Sequence, residues 1–95
     1  MTKVELIVEA VYIKRVIELL ANDGVEHYTI IEDIKGCGTH GLRSADDVTE
    51  ISGNVYFFTL ITDEKFNEIE KDIANFIKRF GGKCFISDVS VLEHE

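Results

Sequence analysis

The sequence has few cysteines, few positive charges and no long apolar run. Its two cysteines, Cys37 and Cys84, are not arranged as CxxC or CxxxC, which argues against the disulfide framework of small secreted proteins and leaves reduced thiols as the expectation. No apolar run approaches the roughly 20 residues that span a bilayer. No segment resembles a signal peptide, so a cytoplasmic protein is expected.

Positive charge is scarce. Ten Lys and Arg residues stand against eighteen Asp and Glu residues, for a formal net charge of -8. Proteins that bind duplex nucleic acid need an excess of basic side chains, so nucleic acid is not the expected partner. The 95 residues contain no repeat, low-complexity tract or linker, and residues 1–95 are predicted to form a single domain.

The spacing of apolar residues divides the chain into six predicted elements. Alternation typical of strands and steps of three and four typical of amphipathic helices follow one another. Thr62 and Asp63 are N-cap candidates for the second helix. The predicted elements are strand 3–8, helix 11–22, strand 27–34, strand 55–61, a helix that follows Thr62 and ends before Gly81, and strand 83–92.

The order βαββαβ predicts an α+β ferredoxin-like sandwich, with a four-stranded antiparallel sheet and both helices on one face. The third strand of this order is apolar on both sides. One side carries Val55, Phe57 and Ile61, and the other carries Tyr56, Phe58 and Leu60. We therefore predict that the helix-free face is buried in a closed homo-oligomer. The alternative is a monomer in which sheet twist and aromatic side chains cover part of that face.

The segment from residue 35 to 54, KGCGTHGLRSADDVTEISGN, lacks apolar periodicity and is predicted to be the functional loop. Its first half contains no acid but carries Lys35, His40 and Arg43 among three glycines. Free backbone N–H groups and a guanidinium suit a phosphate or carboxylate, so an anion site is predicted. The alternative is a flexible loop in which the glycines only make turns.

Three segments, TIIEDIKGCGTHGLR, NVYFFTLITDE and FGGKCFISDVSVL, resemble the PII signal-transduction family. That family has a KGFG motif at the base of a long loop and a DGKIF turn before its last strand; KGCG and GGKCF take these places here. The resemblance runs through nearly the whole chain in strand and helix order, although its specific motif content is small.

The resemblance implies a homotrimer that binds an adenine nucleotide (ADP, ATP, AMP or cyclic AMP) between subunits, without catalysis. It implies that the long loop engages a partner, a membrane transporter or a metabolic enzyme, which would place the protein at the membrane only through its target. The implied nucleotide-binding residues are Thr29, Lys35, Gly36, Cys37, Gly38, Arg43, Gly82 and Lys83. The implied partner-binding residues are Thr39, His40, Gly41, Leu42, Ser44, Asp46 and Asp47.

Two departures from the nitrogen-regulating members stand out. The long loop is shorter and lacks a modifiable tyrosine, since the nearest one, Tyr56, lies in a predicted strand, and the phosphate-facing turn is reduced to GGK. Uridylylation and 2-oxoglutarate sensing are therefore not expected. The GCGTHGLRS segment is more similar to PII-like proteins that regulate bicarbonate uptake or accompany carboxysomes, with Arg43 as a phosphate contact.

Other functions stay open at this point. A metal-binding trimer resembling the divalent-cation tolerance proteins would use His40 or Cys37, although the histidines and cysteines fit no ligand spacing, so no metal site is predicted. A purely structural partner is a third possibility, and a bond between Cys37 and Cys84 of neighbouring subunits is a redox hypothesis. No hydroxyl of the loop has a base at a recognisable spacing.

Overall fold

The computed structural model describes residues 1–38, 41–43 and 53–93. Its elements are β1 (Thr2–Glu9), a short 3-10 helix (Ala10–Tyr12), α1 (Ile13–Asn22), β2 (Thr29–Ile34), β3 (Gly36–Gly38), β4 (Gly41–Arg43), β5 (Asn54–Ile61), α2 (Asp63–Phe80) and β6 (Lys83–Asp88). The predicted order of the six long elements is confirmed. The short strands β3 and β4 were not predicted.

The four long strands form one antiparallel sheet in the order β2-β5-β1-β6. The central strands β1 and β5 pair along their whole length, from Thr2 opposite Ile61 to Glu9 opposite Asn54. β2 and β6 are therefore the two edges of this sheet. The strand order, with a helix after β1 and another after β5, is the predicted ferredoxin-like arrangement.

One face of the sheet is covered by both helices. Every second residue of β1 is buried, and Val4, Leu6 and Val8 are at most 2% exposed. The same cluster contains residues of both helices: Val16, Leu20, Ile69, Ile73 and Phe76. Since α1 and α2 pack into one cluster, they lie on the same side of the sheet, as predicted. Each fully buried side chain of this size stabilises the fold by about 1.5–3 kcal/mol.

The opposite face carries no helix, and we call it the open face. Its residues follow from the strand register: Lys3, Glu5, Ile7, Thr29, Ile31, Tyr56, Phe58, Leu60, Lys83 and Phe85. The predicted split of β5 is confirmed, because Val55 and Phe57 are buried while Leu60 is 40% exposed. Ile31 and Phe85, on the two edge strands, are each 51% exposed. The open face is thus an apolar surface in contact with solvent.

The polar groups at the centre of the open face contact one another. The Tyr56 hydroxyl donates a hydrogen bond of 2.7 Å to Oε2 of Glu5. Lys3 Nζ lies 3.9 Å from the same oxygen and 4.9 Å from the centre of the Phe58 ring. Burial, followed by the bond to Glu5, raises the pKa of Tyr56 to about 12. These polar atoms already have partners, so covering the face would not leave them unsatisfied.

The helix ends follow the sequence closely. The Thr62 hydroxyl caps α2 by accepting a hydrogen bond from the Lys65 backbone N–H at 3.1 Å, as the sequence predicts. Gly81, at φ +84°, ends this helix. α1 has no side-chain cap, which agrees with the absence of a capping residue before it, and a 3-10 turn precedes it instead.

Two strand boundaries differ from the prediction. The last strand ends at Asp88 and not at Leu92, because its pairing partner β1 begins at Thr2, directly opposite Asp88. β2 begins at Thr29 and not at His27, whose carbonyl instead accepts a hydrogen bond from the Thr59 hydroxyl at 2.5 Å. At β6 the pairing partner, and not the local apolar pattern, sets the strand end, whereas at β2 a side-chain hydrogen bond satisfies the His27 carbonyl in place of the sheet backbone.

The predicted loop 35–54 contains more structure than expected. β3 and β4 form an antiparallel pair, with Gly36 opposite Arg43 and Gly38 opposite Gly41, and Asn54 already belongs to β5. Part of the predicted loop is therefore strand. Several predicted loop residues lie outside the described residues: Thr39, His40, Ser44, Asp46 and Asp47.

Candidate functional site

The predicted phosphate contacts lie at one end of the sheet. Lys35 and Gly36 follow β2, whose last residue is opposite Asn54 at the start of β5. Gly82 directly precedes β6, and Lys83, the first residue of β6, is opposite Ile7 near the end of β1. The two groups lie on opposite edges, about 14 Å apart if three strand spacings of roughly 4.8 Å separate them. The sheet thus places them at one end without bringing them into contact.

The two predicted glycine positions differ in what the fold demands of them. Gly82 has φ +112°, and a Cβ there would lie 2.7 Å from the Ile7 carbonyl oxygen and 3.0 Å from Val8 Cγ1. Close packing against β1 therefore requires glycine at this position whether or not a ligand binds. A Cβ at Gly36 would meet nothing within 4 Å, so packing does not explain that glycine.

Both lysines of the candidate site are exposed. Neither Lys35 nor Lys83 forms an ion pair with any residue that the structure describes. In a chain with a net charge of -8, these two ammonium groups are available to a ligand anion. The antiparallel pair β3–β4, which starts directly after Lys35, contains Cys37, Gly38 and Arg43.

Thr29 lies at the other end of β2, on the rim of an open concavity of about 390 Å³. The residues lining this concavity are Glu26, His27, Tyr28, Thr29, Phe58, Thr59 and Leu60. The Tyr28 ring stacks on Phe57 with 5.3 Å between ring centres, which fixes one wall. An aromatic and aliphatic depression with a few polar groups suits a flat ring system.

Thr29 and Lys83 of one subunit are far apart. Thr29 is on one edge strand and Lys83 is on the other, with β5 and β1 between them. Their rows are also offset, because Thr29 shares a row with Phe58 and Lys83 shares one with Ile7. A compact site that uses both residues therefore needs Thr29 from one copy of the chain and Lys83 from another.

Cys84 faces the helices and not the open face. It is opposite Leu6 and packs against the main apolar cluster, and burial raises the pKa of its thiol. The thiol is free and half-buried. The hypothesis of a bond to Cys37 of a neighbour therefore requires Cys84 to leave the core side of β6.

Metal binding has no support in the described part of the chain, where no three His, Cys, Asp or Glu side chains are grouped as ligands. The metal hypothesis rests on His40 and Cys37, whose side chains are not among those described. Among the described residues, no helix is long and apolar enough to cross a membrane.

Sequence reasoning missed most of the concavity around Thr29. His27 and Tyr28 precede β2, whereas Phe58 and Leu60 lie on β5, about thirty residues later. The sequence signal that was available is the aromatic Tyr28 next to Thr29, together with the apolar residues on the second side of β5; the structure shows that Tyr28 is exposed. Their proximity depends on the β2–β5 register, which the sequence alone does not specify.

Comparison with known proteins identifies the family of the chain. No curated protein matches the chain. Among solved structures, the chain is similar to CPII from Thiomonas intermedia K12, a nitrogen regulatory PII-like protein, in a structure bound to ADP, AMP and bicarbonate. The two sequences are 24% identical, the match covers 95% of this chain and 86% of that chain, and the TM-score is 0.83. The apo form of CPII matches with 21% identity, 95% and 89% coverage, and a TM-score of 0.74.

A third CPII structure, bound to ADP, AMP and acetate, matches with 23% identity, coverage of 97% of this chain and 88% of that chain, and a TM-score of 0.77. At these identities the structural matches establish the fold, which is the fold that the sequence predicts. The family model for nitrogen regulatory protein P-II matches residues 1–94. The resemblance noted in the sequence is therefore confirmed, and the chain belongs to the P-II family.

Proposed function

We propose that this protein is a PII-like regulator that binds an adenine nucleotide between the subunits of a homotrimer and signals through the segment 35–54. The observation that carries the proposal is the separation of Thr29 from Lys83 across the sheet. Each copy presents one part of a site on each edge, and a neighbouring copy completes it. The P-II family is regulatory, and we propose no catalytic activity for this chain.

The open face supports the trimer. Ile31, Leu60 and Phe85 are 40–51% exposed on this face, and covering such side chains contributes up to about 1.5–3 kcal/mol each. The hydrogen bond from Tyr56 to Glu5 satisfies the polar centre before assembly. A closed assembly with open faces inward buries all three copies of this surface.

The nucleotide would be held in two parts. Its base would occupy the concavity beside Thr29, and its phosphates would meet the open backbone at Gly36 and the free ammonium of Lys83. Lys35, Cys37, Gly38, Arg43 and Gly82 complete the proposed phosphate end. Three charge-assisted contacts of about 1.5–3 kcal/mol each, less the cost of ordering, are compatible with micromolar affinity, which corresponds to about 8 kcal/mol.

The regulatory step would lie in segment 35–54. Nucleotides that differ in phosphate number differ in charge near Arg43 and Lys83, so each would order the adjoining segment to a different extent. The ordered segment would then engage a membrane transporter or a metabolic enzyme in the cytoplasm. Because CPII was solved with ADP, AMP and bicarbonate, bicarbonate is proposed as a second ligand, and bicarbonate transport as the process regulated.

Calorimetric titration tests the nucleotide site. ADP, ATP, AMP and cyclic AMP are each titrated with and without bicarbonate. We expect micromolar binding of at least one nucleotide to the wild type and roughly tenfold or greater weakening in Arg43→Ala, since one charge-assisted contact is lost. Lys71→Ala, an exposed position on α2, is the control and should bind as the wild type does. No heat with any nucleotide contradicts the proposal.

Thermal unfolding separates this function from metal binding. We expect a nucleotide to raise the melting temperature and zinc or copper to leave it unchanged, because only ligands of the native state stabilise it. The reverse result would establish the metal-binding trimer in place of the nucleotide sensor.

A further inference from the structure

A second basic surface lies on the helical side of the molecule, away from the open face. The rings of Tyr12 and Phe80 meet with their centres 5.0 Å apart, which joins the start of α1 to the end of α2. The guanidinium carbons of Arg15 and Arg79 each lie 5.1 Å from the centre of the Phe80 ring. We call this surface the Phe80 patch; it consists of Val11, Lys14, Arg15, Lys78, Arg79 and Phe80.

The cations of the Phe80 patch have no acidic partners in the part of the chain that the structure describes. Lys14, Arg15, Lys78 and Arg79 form no ion pair with any residue that the structure describes, although the chain carries eighteen acids. Stacking on an aromatic face leaves the edge of a guanidinium, with its N–H donors, directed outward. The two arginines are therefore held in place while their hydrogen-bonding edges stay free.

Helix stability explains only half of this charge. Lys78 and Arg79 stand in the last turn of α2, where the helix dipole favours cations. Lys14 and Arg15 stand in the first turn of α1, where the dipole favours acids, and that turn contains no acid and no side-chain cap. The positive charge at the start of α1 destabilises the helix, so helix stability does not explain why Lys14 and Arg15 are there.

An apolar side chain adjoins the charges. Val11 is 63% exposed in the 3-10 turn, four residues before Arg15. An exposed aliphatic residue one helical turn before a stacked guanidinium group matches a ligand that has both carboxylates and an apolar side chain.

We propose that the Phe80 patch is a docking surface for a short acidic segment of a partner protein, with an apolar residue of that segment on Val11. A planar polyanion fits less well. α2 carries Asp63 and Glu64 at its opposite end, so a bilayer or duplex lying along the helix would meet acids as well as bases. A short segment contacts the basic end alone, and screening within about 8 Å at physiological salt hides the rest.

The first experiment uses the full chain and fluorescence anisotropy at low salt. The probe is a labelled hexapeptide of four glutamates and two leucines, and a peptide with glutamines in place of the glutamates is its control. We expect the glutamate peptide to bind and the glutamine peptide to bind at least about tenfold more weakly, because charge-assisted contacts dominate. No binding of the glutamate peptide, or equal binding of both, overturns the proposal.

Variants locate the binding. Arg15→Glu should weaken the glutamate peptide at least about tenfold, and it should fold, since an acid in the first turn of α1 favours the helix. Arg79→Glu should weaken it to a similar extent. Lys71→Glu makes the same charge change on α2 outside the patch and should alter binding less than about twofold. An equal loss in Lys71→Glu means that only net charge matters and overturns the proposal.

Two further measurements identify the occupant. Vesicles that contain phosphatidylserine should show no binding that depends on Arg15, and sedimentation of Arg15→Glu should match the wild type. Binding of vesicles lost in Arg15→Glu would assign the surface to a membrane, and a smaller assembly in Arg15→Glu would assign it to another copy of this chain. Either result overturns the proposal of a partner segment. Nucleotide binding should be unaffected in Arg15→Glu, which separates this surface from the intersubunit site.

Discussion

The helix-covered face and the open face of the sheet carry similar apolar side chains but differ in what covers them. Phe57 and Phe58 are neighbours on β5; the first is fully buried under the helices, and the second lies beside Lys3 on the open face. The covered face is completed by the chain itself. The open face is not covered by any helix of the chain, and the edges of the sheet carry the separated parts of the proposed site. If the proposed function holds, folding depends on one side of the sheet and assembly with ligand binding on the other.

Phe57→Ala should give the largest effect. Removing a fully buried ring from the covered face is expected to cost about 3–5 kcal/mol in the free energy of unfolding. Denaturant titration measures this cost, and it should be the same at every protein concentration because the contact is internal. A cost that falls away at high protein concentration would mean that assembly, and not the helices, stabilises this face.

Phe85→Asp should break the open face. A carboxylate placed at this half-exposed position would be desolvated in the assembly, so sedimentation should shift from trimer to monomer at micromolar concentration. Leu92→Asp makes the same kind of change at a fully exposed position beyond β6 (101% relative exposure) and should leave the trimer intact. If Phe85→Asp still sediments as a trimer, the open face is not the interface between subunits.

Gly82→Ala and Gly36→Ala separate packing from binding. Gly82→Ala should cost about 1–3 kcal/mol of stability, because the added Cβ meets the Ile7 carbonyl and φ is positive. Gly36→Ala should change stability by less than about 0.5 kcal/mol and weaken only nucleotide binding. Chemical denaturation and calorimetry measure the two effects. Equal losses of stability in the two variants would mean that Gly36 is packed in solution as closely as Gly82.

Asp72→Asn should give the smallest effect, and it lies within the helical layer. The hydrogen bond with Asp72 raises the pKa of Asp23, with burial and the Asp72 charge adding to it and Lys65 opposing. A carboxyl group whose pKa is raised in the folded state stabilises the fold at pH values below its usual pKa, and this contribution is lost as the pH rises through the folded-state pKa. At neutral pH the Asp23–Asp72 pair therefore destabilises the fold slightly.

Asn at position 72 should stabilise the protein by about 0.2–0.5 kcal/mol at pH 7, the size of an exposed like-charge pair, and the gain should shrink as the pH falls toward 4. Thermal unfolding at several pH values measures this dependence. Glu70→Gln, an exposed position on the same helix, should show no such trend. A gain that does not depend on pH would rule out the carboxyl pair as its cause.

The sequence predicted the fold well wherever burial alternates. The two sides of β5 follow from the separation of Val55 and Phe57 from Tyr56 and Phe58, because a strand turns successive side chains to opposite faces. The end of β6 could not be predicted in the same way. Apolar residues continue to Leu92, but the register with β1 ends where Thr2 is opposite Asp88, and beyond that pair the Val89 N–H donates to the Met1 carbonyl at 2.9 Å without continuing the strand. That limit appears only once the strands are paired.

The candidate site was less predictable. Lys35 was identified from the composition of the loop and Lys83 from the resemblance, and the structure adds that they lie at one end of the sheet on opposite edges. The β3–β4 pair was missed because its three glycines give no strand pattern. The Tyr28 concavity was missed because its walls come from distant parts of the sequence and meet only through the β2–β5 register.

Subunit mixing tests the central claim most directly. Thr29→Asp and Lys83→Glu are each expected to abolish nucleotide binding, since each damages one part of every site. If neighbouring copies complete the site, a one-to-one mixture allowed to exchange subunits should regain binding at about one quarter of its sites, where the intact parts of the two variants meet. Calorimetry of the mixture that still shows no binding would contradict a site shared between subunits.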